Sequence, residues 1–331
     1  MYQEPERTTN EPLPYSRIGV ALTLMILVNL ASQLLLLAIL QATGRDVSAL
    51  TDASGSTTLM WLAALVPQYA LGFPAALLLM RSMPARSPSV HTPDRLDVFK
   101  TLFVCSAVMF LGSLIGNLVS SLLSSGTSVN PLDAWAEDTN PIKIPIMVLM
   151  GPLLEELLFR KTLIDRTLPY GEKAAVVFSA LCFGLFHMNV YQFFYAFGLG
   201  LLLGYIYVRT GRLRYTILIH MLINLMGAVV APALIARMDL ELLESVNLFT
   251  SLRTVARILV NSLPYLLYAT FLLSSATVGL ILLFLNRRRI TFEPQPAEPR
   301  GSSFAQYALM NPGMIVFMAI CVLVTLWTLF R

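Results

Sequence analysis

Between Ile18 and Ala42 the chain carries no ionisable side chain, and comparable apolar stretches recur to its far end. They fall at Leu59–Met80, Val98–Leu123, from Pro141 towards Leu168, and at Lys173–Val190, Tyr191–Val208, Tyr215–Leu234, Ile258–Leu285 and Gly313–Phe330. About twenty apolar residues in a helix cross a hydrocarbon core about 30 Å thick. The pattern therefore predicts an all-α polytopic membrane protein, a helical bundle of eight or nine transmembrane helices. Composition agrees: 56% of the 331 residues are hydrophobic and 13% charged, where soluble chains average about a quarter charged. The apolar stretch that follows the polar residues 1–17 is too long for a cleavable signal sequence and reads as a retained first span. Cys105, Cys182 and Cys321 all lie in apolar runs, which argues against a disulfide framework or a thiolate zinc site.

The formal net charge of +4 is small, and its arginines and lysines sit in loops. That reports membrane orientation and gives no nucleic-acid-binding surface. Basic residues cluster between spans two and three (Arg81, Arg86, Arg95, Lys100), four and five (Lys161, Arg166, Lys173), six and seven (Arg209, Arg212, Arg214), and after span eight (Arg287, Arg288, Arg289). The segment between spans three and four carries only acids: Asp133, Glu137 and Asp138. By the positive-inside rule the N-terminus is expected in the cytoplasm. Pro67 and Pro74 are expected to bend span two. Gly112 with Gly116, and Gly200 with Gly204, provide small faces for close helix contact.

One apolar stretch is interrupted. Gly151-Pro152-Leu153-Leu154-Glu155-Glu156-Leu157-Leu158-Phe159-Arg160 places two acids and an arginine where a span should be. Each ionisable group at a bilayer centre costs about 2.5–3.5 kcal/mol on insertion scales. Glu156 and Arg160 stand four residues apart, acid first, the favourable orientation for an ion pair on one helix face. Glu155 lies about 100° round the helix and is left free. Two of the three histidines, His187 and His220, also lie in apolar runs; Phe183 shares a face with His187, and Asn224 with His220. His91 sits in a charged loop and reads as a surface residue. Glu155 precedes the turn at Gly171 by as many residues as His187 follows it, so a hairpin sets both at one level, about 24 Å from its tip. Gln33, Gln68, Asn117 and Asn261 read as interhelical packing.

A carboxylate facing an imidazole can hold a water and take its proton. Glu155 and His187 suit that task, with His220 and Asn224 as donors to a developing oxyanion. Arg160 fixes Glu156 in a supporting role. Alternatively, Glu155, His187 and His220 could ligate zinc, the one cofactor their chemistry admits. There is no HExxH and no GxSxG, which excludes zincin and serine-elbow arrangements. A proton-coupled transporter is compatible with buried Glu and His, but no matching pair of interrupted spans is present.

The motifs Glu155-Glu156-Leu157-Leu158-Phe159-Arg160, Phe183-Gly184-Leu185-Phe186-His187 and His220-Met221-Leu222-Ile223-Asn224 resemble the EExxxR, FxxxH and HxxxN/B motifs of the CPBP family. That family comprises the CAAX prenyl endopeptidases and their bacterial Abi relatives. The resemblance spans about Pro141–Pro232 and implies an intramembrane endopeptidase, glutamate- or metal-dependent, acting on a membrane-associated, lipidated or CaaX-like peptide. It implies catalytic roles for Glu155, His187, His220 and Asn224 and supporting ones for Glu156, Arg160 and Phe183. A non-proteolytic bacteriocin-immunity or scaffold protein reusing the fold is the alternative. The partners implied are membrane lipid and a peptide or lipidated protein substrate, in a bacterial cell membrane. The expected organisation is a cytoplasmic tail (1–17), helices one to three (18–140), a four-helix catalytic core (141–234), a loop and helix eight (235–289), and a Pro-rich linker with a hydrophobic C-terminal helix (290–331).

Overall fold

A computed structural model describes residues 14–44, 57–92, 95–133, 140–239, 244, 251–293 and 302–330. Most of the N-terminal tail, the acidic residues Glu137 and Asp138, and 294–301 of the Pro-rich linker lie outside the described residues. Among those described there is no β-strand. The all-α architecture follows from the solvent: hydrocarbon offers backbone groups no partner, so each span must satisfy its own.

Helix α1 is Pro14–Ala42. Helix α2 runs as Thr57–Val66, a π-helical stretch Pro67–Gly72 and Phe73–Met80; of the two prolines expected to bend this span, Pro67 opens the π-helical stretch and Pro74 lies in the first turn after it. Helix α3 is Arg95–Leu123. Helix α4 changes pitch repeatedly: π-helical Ile144–Met150, α-helical Gly151–Glu155, π-helical Glu156–Ile164, then Asp165–Thr167 and a 3-10 turn Leu168–Tyr170. Helix α5 is Glu172–Phe186 and α6 is Val190–Thr210. Helix α7 joins Leu213–Leu225, a π-helical Met226–Val230 and Ala231–Ile235. Helix α8 is Leu252–Asn286, α9 is Ser302–Ala308 and α10 is Pro312–Phe330.

Seven of these helices, α1, α2, α3, α6, α7, α8 and α10, are long and apolar enough to cross a bilayer. The chain is an integral membrane protein. The fourth and fifth expected spans fall outside that set for physical reasons. Helix α4 carries Glu155, Glu156, Arg160 and Lys161, and α5 has only 15 residues, about 22 Å of rise. The two elements least suited to lipid are the ones enclosed by the others. Helix α4 packs against α2, α5, α6 and α7, while α5 packs against α4, α6 and α10.

The largest core cluster draws Tyr15 and Leu22 from α1, Phe73 from α2, Phe159 from α4, Phe178 from α5 and Phe317 from α10. The C-terminal helix is thus a wall of the core. Its partner is α1: the Gly313 N–H donates to Ser16 Oγ at 3.2 Å, and a Cβ on Gly19 or Gly313 would collide with the opposing backbone. The small faces anticipated from the sequence are used. Gly112 and Gly116 of α3 lie against the Tyr195 and Tyr191 backbone of α6, and Gly200 and Gly204 of α6 lie against Ala180 and Val176 of α5.

The basic loops meet at one end of the bundle. Buried Asp165 accepts from Ser87 Oγ at 2.7 Å, Lys161 Nζ at 2.8 Å and Tyr207 Oη at 2.8 Å. The Arg86 N–H donates to the Asp165 carbonyl at 2.7 Å, and the His91 N–H to that of Thr210 at 2.9 Å. Glu172 pairs with Arg209 and accepts the Glu293 N–H at 2.7 Å, tying the segment after α8 to the same end.

Candidate active site

The centre of the bundle holds a chain of ionisable groups contributed by four helices. Within α4, Arg160 Nε lies 3.1 Å from Glu156 Oε2, and both side chains are 0% exposed. The four-residue spacing therefore forms the anticipated pair even though the helix is π-helical from Glu156 onward. The second oxygen, Glu156 Oε1, accepts the Nδ1–H of His220 on α7 at 2.9 Å. This link is absent from the sequence reading, because no single turn relates α7 to α4 as the hairpin at Gly171 relates α5 to α4. It fixes the imidazole ring and leaves Nε2 as its working atom.

That Nε2 lies 3.7 Å from Glu155 Oε2, beyond a direct hydrogen bond. Glu155 Oε1 accepts the hydroxyl hydrogen of Tyr69 at 3.2 Å. Tyr69, in the π-helical stretch of α2, is the residue that sequence reasoning missed; its only signal was a polar tip in an apolar run beside Pro67.

His187 caps the C-terminal end of α5. Its Nδ1 is 2.8 Å from the Phe183 carbonyl, and a carbonyl can only accept, so Nδ1 carries the proton and Nε2 presents a lone pair in the neutral ring. The turn beyond it is held tightly: Met188 has φ 50°, Asn189 caps α6 by accepting the Gln192 N–H at 2.8 Å, and Thr328 of α10 donates to the Met188 carbonyl at 3.3 Å. Phe183 stands among the charged groups. Its ring lies 4.3 Å from the Arg160 guanidinium carbon, 4.9 Å from the His187 ring and 5.7 Å from the His220 ring. This gives the buried cation an aromatic face, an interaction strengthened by desolvation. The Arg160 Nη1 and Nη2 atoms have no hydrogen-bond partner among the described residues.

Asn224, one turn beyond His220 on α7, donates one amide hydrogen to the Met147 carbonyl at 2.8 Å. That carbonyl lies in the upper π-helical stretch of α4, so Asn224 also joins α7 to α4, with its second amide hydrogen unassigned. The other expected polar residues lie elsewhere: Asn117 donates to Ser113 of its own helix, Gln33 to Asn29, and His91 is exposed in its loop.

Carboxylate and imidazole are suitable zinc donors, and metal-binding histidines typically have their other ring nitrogen engaged in this way. Yet no three His, Cys, Asp or Glu side chains among the described residues converge at metal-ligand spacing.

Residues 138–226 match the family model described as type II CAAX prenyl endopeptidase Rce1-like. The matched stretch contains all three motifs and bears out the resemblance to the CPBP proteases. It supports a CAAX-type intramembrane protease in broad terms. No curated protein and no solved structure matches the chain.

Proposed function

We propose that the protein is an intramembrane endopeptidase of glutamate type, hydrolysing a peptide bond in a membrane-associated, lipidated CaaX-like substrate. The observation that carries the reading is the division of labour between adjacent acids. Glu156 is engaged on both oxygens, by the Arg160 ion pair and the His220 hydrogen bond, while Glu155 Oε2 lies 3.7 Å from His220 Nε2 and is left for a water. A water between Glu155 and His187 donates one hydrogen to the carboxylate and the other to His187 Nε2. Its oxygen lone pair then points at an incoming carbonyl carbon. As the C–O bond forms, Glu155 takes the water proton; as the C–N bond breaks, it returns that proton to the departing amine. His220, whose Nδ1–H goes to Glu156, donates from Nε2 only as the imidazolium; in that form it and the second amide hydrogen of Asn224 meet the carbonyl oxygen as its negative charge develops.

The positive-inside rule sets the basic end of the bundle, and with it the N-terminus, in the cytoplasm. The substrate thus comes from that leaflet, in a bacterial cell membrane. The test is purified protein in chelator-treated buffer with a panel of farnesylated and acylated peptides. Wild type is expected to cleave, while Glu155→Gln and His187→Ala, folded normally, lose at least about a hundredfold in rate. Full activity in either variant, or wild-type activity restored only by zinc, would overturn the assignment.

A further inference from the structure

The acid assigned as the base is held by a residue from outside the family-matched stretch. Tyr69 lies on α2, and its hydroxyl donates to Glu155 Oε1 at 3.2 Å. Three features set it there. The π-helical stretch Pro67–Gly72 carries the ring on its inner side, and Gly72 closes that stretch against the Met25 backbone of α1. Phe73 packs against the Tyr69 ring at 5.3 Å and passes the contact to Phe186, next to His187, at 6.0 Å. Across the gap, α4 offers Gly151: a Cβ there would stand 3.1 Å from Tyr69 Oη and 3.8 Å from Glu155 Oε1. The absence of a side chain at Gly151 keeps the space that the hydroxyl and carboxylate share.

We infer that Tyr69 is a positioning residue for hydrolysis, holding one oxygen of Glu155 so that the other faces the water and His220. The inference rests on the endopeptidase reading above. A glutamate carboxylate, attached through three rotatable bonds, samples several orientations, and one charge-assisted hydrogen bond selects among them. Its loss removes aim and leaves the substrate-binding surface intact, so the effect falls on turnover.

The experiment measures kcat and KM of wild type, Tyr69→Phe, Gly151→Ala and the double variant with a farnesylated CaaX-type peptide in proteoliposomes. Thermal unfolding is followed in parallel. Tyr69→Phe is expected to unfold as wild type does, with kcat reduced about tenfold to a hundredfold and KM unchanged. Gly151→Ala, which presses on the hydroxyl, is expected to slow wild type but to slow Tyr69→Phe much less, because the atom it crowds is gone. Wild-type kcat in Tyr69→Phe, or a rise in KM alone, would overturn the positioning role while Glu155→Gln remains inactive. Activity retained in Glu155→Gln would instead remove the endopeptidase reading, and the inference with it.

Discussion

Glu156 receives an arginine on one oxygen and an imidazole on the other, with no exposure to solvent or lipid. Buried ion pairs give little net stability, but removing one partner strands a charge and costs about 3–5 kcal/mol. Arg160→Met is therefore expected to destabilise the protein by about that amount in detergent denaturation, and Glu156→Gln in the same background should recover part of it. An Arg160→Met variant as stable as wild type would show that the pair is dispensable. At this scale the sequence was informative within a helix and across the α4–α5 hairpin, and silent between helices that no short turn joins. The spacing of Glu156 and Arg160 announced their contact. The Glu156–His220 and Tyr69–Glu155 contacts join residues far apart in the chain, and depend on how α2 and α7 settle against α4.

Helix α4 shows what periodicity alone cannot deliver. Its apolar pattern fits a span, but the structure alternates α and π pitch along it, and π turns are frequent at functional sites. Each wider turn re-aims the following side chains, a change with no compositional mark beyond a nearby proline or glycine. The small-residue faces were legible because they are composition: Gly200 would place a Cβ 2.9 Å from Ala180 Cα. Gly200→Leu is expected to push α6 from α5 and lower the midpoint of thermal unfolding sharply, by the equivalent of about 1–3 kcal/mol of overpacking. It should also reduce activity, since His187 ends the helix from which α6 is pushed. A variant that unfolds with wild type would argue that α5 and α6 are not in such close contact.

Taken whole, the molecule packs two short or charged helices among apolar ones, with α3 and α8 on the far side of α6 and α7 from them, and its basic loops gather at one end. The sequence announced that polarity through its loop charges, and the core's position through three motifs. It did not reveal that α10 belongs to the core. Apolar composition is common to lipid-facing and core-facing helices, and only packing separates them. Met314, Phe317 and Cys321 are each 0% exposed, and Thr328 reaches the turn after His187. Deleting residues 302–331 is therefore expected to lower both the yield of folded protein and its unfolding temperature, and to abolish cleavage. A truncated form with normal stability and turnover would make α10 an accessory.

The seam between α1 and α10 also has a consequence for biosynthesis. During translation α1 precedes α10 by the eight helices between them, so the backbone against which Gly19 lies emerges from the ribosome only after α2 to α9 have been made. The four helices that carry Tyr69, Glu155, His187 and His220 are all inserted while that wall is open and Thr328 has yet to be synthesised. A nascent chain thus gains the α1–α10 seam, and with it the Thr328 contact to the turn after His187, only after those four helices have been made.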